Sequence, residues 1–405
     1  MNAPRIGPHS ALAQLAAALE RRRSDALLRV RRTVESPQGA RIRVDGRDVL
    51  AFASNDYLGL ANDPALVTAA CVGARRWGVG AGASHLIIGH QSPHEALERE
   101  LAAFVAPCAD ARALVFSSGY LANLAILTAL ADRHDAIFAD RLNHACLTDG
   151  ALLSRAALVR YPHADLAALR ERLRVTRAHR RFIVTDAVFS MDGDIAPLRD
   201  LLALAHEHDA WLVVDDAHGF GVLGGGRGTL AHFGIASERI VYMGTLGKAA
   251  GVAGAFVAAH PLVVETLLQS ARSYVYTTAS PPLLAEALRA SLACIRDGAA
   301  RRDHLDNLVA AFRERVRGLP WRLLPSSTPI QPLVIGDAPA TLRVAEALLA
   351  DGICVPAIRP PTVPPGTARL RVSLSAAHSD ADVERLAAAL HAAAARSARV
   401  RTNPA

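Results

Sequence analysis

Lysine is almost missing from this chain. Of 45 Lys and Arg residues in 405, one is lysine, Lys248, and the other 44 are arginine. Arginine therefore serves wherever a plain positive charge is wanted. A guanidinium stays protonated, whereas a lysine amine can lose its proton and attack a carbonyl. The single lysine thus points to chemistry that arginine cannot perform, with a Schiff base as the foremost case.

Other absences narrow the class. The five cysteines (Cys71, Cys108, Cys146, Cys294, Cys354) are scattered and include no C-x-x-C pair. That argues against a disulfide framework or a zinc site, and fits a reducing cytoplasm. No run of about 18 apolar residues exists, so no membrane-spanning helix is expected. At the N-terminus, Leu12, Leu15 and Leu19 recur at helical spacing ahead of Glu20-Arg21-Arg22-Arg23, as in an amphipathic helix and unlike a signal peptide. The formal charge is +7, but the arginines are dispersed beside acids, without a basic-aromatic RNA motif or a helix-turn-helix pattern. A solvated basic surface is expected, with no nucleic-acid partner.

What remains is an apolar-rich globular chain, 51% hydrophobic and 20% charged. Short continuous apolar runs at Leu114–Phe116, Ala136–Phe138, Phe182–Val184, Trp211–Val214, Ile240–Met243 and Ala255–Ala258 suit strands buried on both faces. Helix-length segments such as Leu121–Ala131 and Leu166–Arg174 separate several of them, so an α/β architecture with a mostly parallel sheet is expected. Residues 1–48 read as a helical arm with a short extended segment, Arg41–Val44, and a turn at Asp45-Gly46. A large α/β domain is expected over 49–290, and a smaller α+β domain over 291–405 with a polar tail from about Arg396.

Ligands of open α/β sheets bind beyond the carboxyl ends of the strands. Asp215-Asp216-Ala217-His218-Gly219 stands at one such end, and Asp186 followed by Ser190-Met191-Asp192-Gly193-Asp194 at another. Ser117-Ser118-Gly119-Tyr120 opens a helix whose free N–H groups suit a phosphate. The lysine lies in Thr245-Leu246-Gly247-Lys248, after the apolar run Ile240–Met243. An amine, a strand-end carboxylate for a ring nitrogen and a phosphate cradle are the protein parts of a pyridoxal-phosphate site. Spacing alone gives His85, His90, His94, His206 and His208 no role.

Together with Ser54-Asn55-Asp56-Tyr57-Leu58-Gly59, the glycine-rich Gly78–Ser84 and Phe189-Ser190-Met191-Asp192-Gly193-Asp194, these motifs resemble the α-oxoamine synthases, fold-type I pyridoxal-phosphate enzymes. The resemblance runs from about Arg29 to His378. It implies Lys248 as the Schiff-base residue, Asp215 beside the pyridinium nitrogen, His144 stacked on the ring and His218 at its phenolic oxygen. It implies Ser190 and Thr245 around the cofactor, Gly119 and Tyr120 near its phosphate, and Thr277 or Thr278 reaching the phosphate across a homodimer interface. Asn55, Arg359 and Thr362 are implied at the substrate, with Arg359 on the amino-acid carboxylate. Ungapped counting from Asn55 puts the family's N-terminal arginine on Arg29, with Arg31 or Arg32 as alternatives.

Arg359-Pro360-Pro361-Thr362-Val363-Pro364 and Val252-Ala253-Gly254-Ala255 resemble the branch that joins L-alanine to pimeloyl-CoA or a pimeloyl-carrier protein with loss of carbon dioxide. No metal is implied. Three positions depart from the family pattern: Tyr120 for a common Phe, Asp186 for a frequent Glu, and Ala249-Ala250. The rival within the family uses glycine, as does 2-amino-3-ketobutyrate CoA ligase. Outside it stand an aminotransferase of the same fold and a non-catalytic binding protein. The second gives no reason to keep the only lysine.

Overall fold

A computed structural model describes residues 11–402. Each anticipated run lies in a strand: β1 (Arg41–Val44), β2 (Arg47–Ala51), β3 (Arg112–Phe116), β4 (Ala136–Asp140), β5 (Ala157–Tyr161), β6 (Arg181–Asp186), β7 (Ala210–Asp215), β8 (Ile240–Thr245) and β9 (Ala255–Ala259). Seven of these form one sheet in the order β3-β9-β8-β7-β6-β4-β5. β9 runs antiparallel to both neighbours, and the other pairings are parallel.

The continuity of the apolar runs has a direct cause. Alternate residues of each strand enter two separate cores. Val115, Phe138, Ile183, Leu212, Val214 and Tyr242 belong to one, and Phe116, Ile137, Val184, Val213 and Met243 to the other. With both faces covered, the interior positions of these runs leave no place for a solvated side chain, and exposed residues such as Arg112 stand at a strand end. β5 was not legible as a strand because it lies at the sheet edge, where Arg160 faces solvent.

A second sheet holds β10 (Arg322–Leu323), β11 (Ile330–Gly336), β13 (Ala357–Ile358) and β14 (Ala368–Ser373), in the antiparallel order β10-β11-β14-β13. The β1–β2 hairpin spans residue 48, and β2 pairs in parallel with β12 (Ile353–Cys354), so the N-terminal strands are fastened to the C-terminal part. The arm helix forms over Ala11–Ser24 and buries no residue within this chain. The expected polar tail is corrected: a helix runs from Asp380 to Thr402. Alanine is the strongest helix former, and the Ala387–Ala389 and Ala392–Ala395 stretches carry the helix past Arg396.

Candidate active site

Parallel strands place their last residues along one edge. Asp186 ends β6 and Asp215 ends β7, directly paired in register, and Thr245 ends β8. Lys248 follows three residues later in a tight loop, where the Gly251 N–H donates to the Lys248 carbonyl at 2.8 Å.

A chain of contacts starts at the amine. Lys248 Nζ lies 2.9 Å from His218 Nε2, and His218 Nδ1 lies 2.7 Å from the Tyr57 hydroxyl. Arg371 donates to Asn55 Oδ1 at 3.1 Å, to the Ser190 carbonyl at 2.6 Å and to Ser373 Oγ at 2.8 Å, and reaches Tyr57 Oη at 3.4 Å. The Tyr57 hydroxyl also donates to Asn55 Oδ1 at 3.2 Å, so it stands between Asn55 and the imidazole Nδ1. The imidazole thus presents one nitrogen to the Tyr57 hydroxyl and the other to the Lys248 amine.

The electrostatics agree. Burial lowers the Lys248 pKa, opposed by Asp215 and Asp186 and reinforced by Arg371. Burial, then the charges of Lys248 and Arg371, push His218 well below its ordinary value. A lysine of depressed pKa beside a neutral imidazole is suited to nucleophilic attack and to proton transfer.

Across the strand ends, Asp215 Oδ2 accepts from Asn123 Nδ2 at 2.7 Å and Oδ1 from the Ala217 N–H at 3.0 Å. The carboxylate retains lone pairs for a further donor. Asp186 accepts the His144 N–H at 2.7 Å, and burial followed by the charge of Asp215 raises its pKa well above the carboxylate range. Asp216, next in the chain, points elsewhere: it accepts from the Tyr242 hydroxyl at 2.9 Å and the Thr229 N–H at 2.7 Å. The acidic doublet thus divides into one site residue and one structural residue.

The helix Gly119–Leu130 begins at the same edge, capped by Ser118, whose Oγ accepts from the Leu121 N–H at 3.3 Å. The first N–H groups of a helix have no partner within it. A Cβ on Gly119 would lie 3.6 Å from Met243 Cε and 3.9 Å from Thr245 Oγ1, so this N-terminus lies against the end of β8. Tyr120 donates to Asp149 Oδ2.

The arm also reaches the site's outer part. Arg29 donates to Thr362 Oγ1 at 3.1 Å, and Arg359 to the Ala26 carbonyl. Of the three arm arginines considered, Arg29 is the one hydrogen-bonded to Thr362, while Arg32 lies 3.6 Å from Asp45. Thr277 and Thr278 sit apart from the Lys248 contacts, on a segment bridged to Ser84. His94, fully buried, donates to the Ser280 carbonyl of this segment at 2.8 Å.

The loop carrying Ser190 is held on two sides. Arg369 pairs with Asp192, and Ser326 Oγ donates to the Gly193 carbonyl at 2.8 Å. Gly193 has φ +75°, and a Cβ there would stand 2.5 Å from the Ile330 carbonyl oxygen, so no other residue fits. On the far side His163 bridges Asp140 at 3.1 Å and Asp194 at 2.8 Å. Burial works against its charge, but the hydrogen bonds and charges of the two carboxylates outweigh that and lift the imidazole to about 10. A pKa raised on folding stabilises the fold fully below the unfolded value, near 6.5, and the contribution is lost as pH rises through about 10. Melting temperatures of wild type and His163→Gln should therefore differ at pH 7 and converge by about pH 11. A constant difference would show that His163 acts by packing alone.

A family model described as aminotransferase class I and II matches residues 47–390. The chain belongs to that family. Among curated aminotransferase-family relatives, 8-amino-7-oxononanoate synthase of Aromatoleum aromaticum is 62% identical over 367 residues, covering 90% of this chain and 94% of that protein. The protein of the same name from Nitrosospira multiformis is 59% identical over 373 residues, covering 92% and 93%. Among solved structures, SPT with a PLP internal aldimine superposes with a TM-score of 0.90 at 27% identity, covering 96% of this chain and 99% of that one. Francisella tularensis 8-amino-7-oxononanoate synthase gives 0.75 at 30% identity, covering 88% and 99%.

Pyridoxal phosphate fits the residues of this aminotransferase-family chain. Lys248 supplies a buried amine, Asp215 a carboxylate with spare acceptor capacity, and the Gly119 end of the helix a cradle against the end of β8. Sequence reasoning missed Arg371, Asn123 and Cys146. Arg371 left a signal, an arginine between Leu370 and Val372 in a strand whose every residue is buried. Asn123 was the polar residue in the apolar stretch from Leu121 to Leu127. For Cys146 there was none.

Proposed function

We infer that this chain condenses L-alanine with a pimeloyl thioester to give 8-amino-7-oxononanoate and carbon dioxide, releasing CoA or a carrier protein. The observation that carries the inference is the Lys248–His218–Tyr57 contact chain facing Asp215, in a chain 62% identical to a protein named for that product. Bound pyridoxal phosphate would supply an electron sink for a carbanion at the alanine Cα. Lys248 would hold the cofactor, and its amine, once free, would take the alanine Cα proton and return one at the end. Asp215 would oppose the positive charge of the cofactor's ring nitrogen and keep it protonated. His144 would cover the ring face and His218 would reach the phenolic oxygen, while Gly119, Tyr120 and Thr245 would hold the phosphate.

The alanine carboxylate needs a guanidinium. The resemblance implies Arg359, whereas geometry favours Arg371, which is buried among Asn55, Tyr57 and Ser190. Arg29 and Thr362, already paired, are suited to the far end of the acyl chain. A homodimer is supported by apolar side chains exposed in the single chain: Leu12 and Leu15 on the arm, and Val79, Ile87, Ile88 and Tyr276 beside the Thr277–Thr278 segment. Among the described residues no helix is long and apolar enough to cross a membrane.

The test is an absorbance spectrum of the purified protein, repeated with L-alanine and then pimeloyl-CoA. A visible cofactor band that shifts with alanine, followed by CoA release, is expected. A shift with glycine alone would move the function to a glycine-using relative. The absence of any band after adding pyridoxal phosphate would overturn the cofactor site.

A further inference from the structure

Cys146 takes no part in the chemistry above, yet it stands between two residues that do. It is 2% exposed, at the second position of the helix Ala145–Ser154. Its sulfur lies 2.8 Å from His144 Nδ1, and its backbone N–H donates to the same nitrogen at 3.3 Å. On the other side Asn123 Nδ2 donates to the sulfur at 3.1 Å and to Asp215 Oδ2 at 2.7 Å. The Asn123 amide has one workable orientation, because turning it would set its oxygen against the Asp215 carboxylate.

The protons can then be placed. Burial, with the charge of Asp215, pushes the Cys146 thiol up to about 12, so the sulfur keeps its proton at neutral pH. That sulfur accepts one N–H from Asn123 and has one S–H to give, with His144 Nδ1 as its neighbouring acceptor. Nδ1 thus carries no proton of its own, and its single lone pair is shared between the thiol, with its sulfur at 2.8 Å, and the more distant backbone N–H at 3.3 Å. Burial, with the charge of Lys248, holds His144 below its ordinary value against the opposing charges of Asp215 and Asp149. Asp186 meets only its backbone N–H.

We propose that Cys146 is a positioning residue: its S–H fixes the His144 proton on Nε2 and, through Asn123, locks that ring to the Asp215 carboxylate in one geometry. The proposal deepens the assignment of His144 and Asp215 to the cofactor site and rests on it. A ring held at Nδ1 cannot flip, so the face it offers the cofactor is set before the cofactor arrives.

The experiment compares wild type, Cys146→Ser and Cys146→Ala as full-length protein, with and without pyridoxal phosphate. Side-chain ¹⁵N NMR reads the His144 tautomer, with the signal assigned by its loss in His144→Gln. Wild type and Cys146→Ser, which keeps a donor, should both show a bare Nδ1 and a protonated Nε2. Cys146→Ala keeps only the longer backbone N–H contact to Nδ1, so it should show an added Nδ1-protonated population and weaken pyridoxal-phosphate binding roughly two- to tenfold, as expected for one lost hydrogen bond. The proposal is overturned if Cys146→Ala keeps the single tautomer. It is equally overturned if folded Cys146→Ser, checked by its melting temperature, behaves like Cys146→Ala. The tautomer reading is independent of the substrate, so failure of the alanine and pimeloyl-CoA assignment would leave it standing.

Discussion

Lys248→Arg is expected to abolish turnover while the protein stays folded and the positive charge stays in place. The loss should be at least about 10³-fold, within the range for removing a positioned proton-transfer group and compounded here by loss of the nucleophile. Charge retention makes the variant informative. If Lys248 served only as a cation near Asp215, arginine would replace it. If it serves as an amine that must be neutral part of the time, arginine cannot, because its pKa stays above about 12. Two measurements check this: CoA release from pimeloyl-CoA in the presence of alanine, and exchange of the alanine α-proton in D₂O without thioester. Both should vanish together. Exchange at the wild-type rate in Lys248→Arg would sink the assignment of Lys248 as the base.

Asp215→Asn should slow the same α-proton exchange by about 10- to 1000-fold. An opposing charge at close range is worth about 1–3 pKa units to a protonated ring nitrogen, and each unit is a tenfold change in the protonated population. The substitution keeps size and leaves an amide oxygen that can accept from Asn123 or Ala217, so folding is expected to survive. Cofactor should still bind through Lys248 and the helix terminus. Asp216→Asn is the matched control. Its carboxyl, pushed up to about 7 chiefly by burial, contacts Thr229 and Tyr242 and should affect stability more than exchange. Equal loss of exchange in both variants would contradict the division of the acidic pair into one site residue and one structural residue.

The two acids show how far a sequence can be read. Asp215-Asp216 at the end of an apolar run was legible as a strand-end pair, because buried parallel strands exclude polar residues until they emerge from the sheet. The family resemblance singled out Asp215, but local pattern alone did not say what each of the two carboxylates touches. That depends on the pleat of β7 and on the packing of the loop up to Thr229. Arg359 and Arg371 repeat the lesson. A motif drew attention to Arg359, but β14 is the strand that carries an arginine onto Asn55, Tyr57 and the Ser190 carbonyl.

Sequence alone determined the α/β class, the positions of six of the seven strands in the large sheet, the lone lysine and the residues at the carboxyl edge of that sheet. These follow from local rules, since apolar runs, turn residues and the pKa difference between lysine and arginine act over short stretches of chain. Only the tertiary structure decided what those residues touch. Asn55 and Arg371 are 316 positions apart, and Arg29 and Thr362 are 333 apart. The Asn123–Cys146–His144 contacts join the helices that follow β3 and β4, two strands held apart by four others in the sheet. Hydrogen bonds of that kind arise only when the sheet order β8-β7-β6-β4 and the docking of the C-terminal strands bring distant segments within 3 Å, and no spacing within the sequence encodes them.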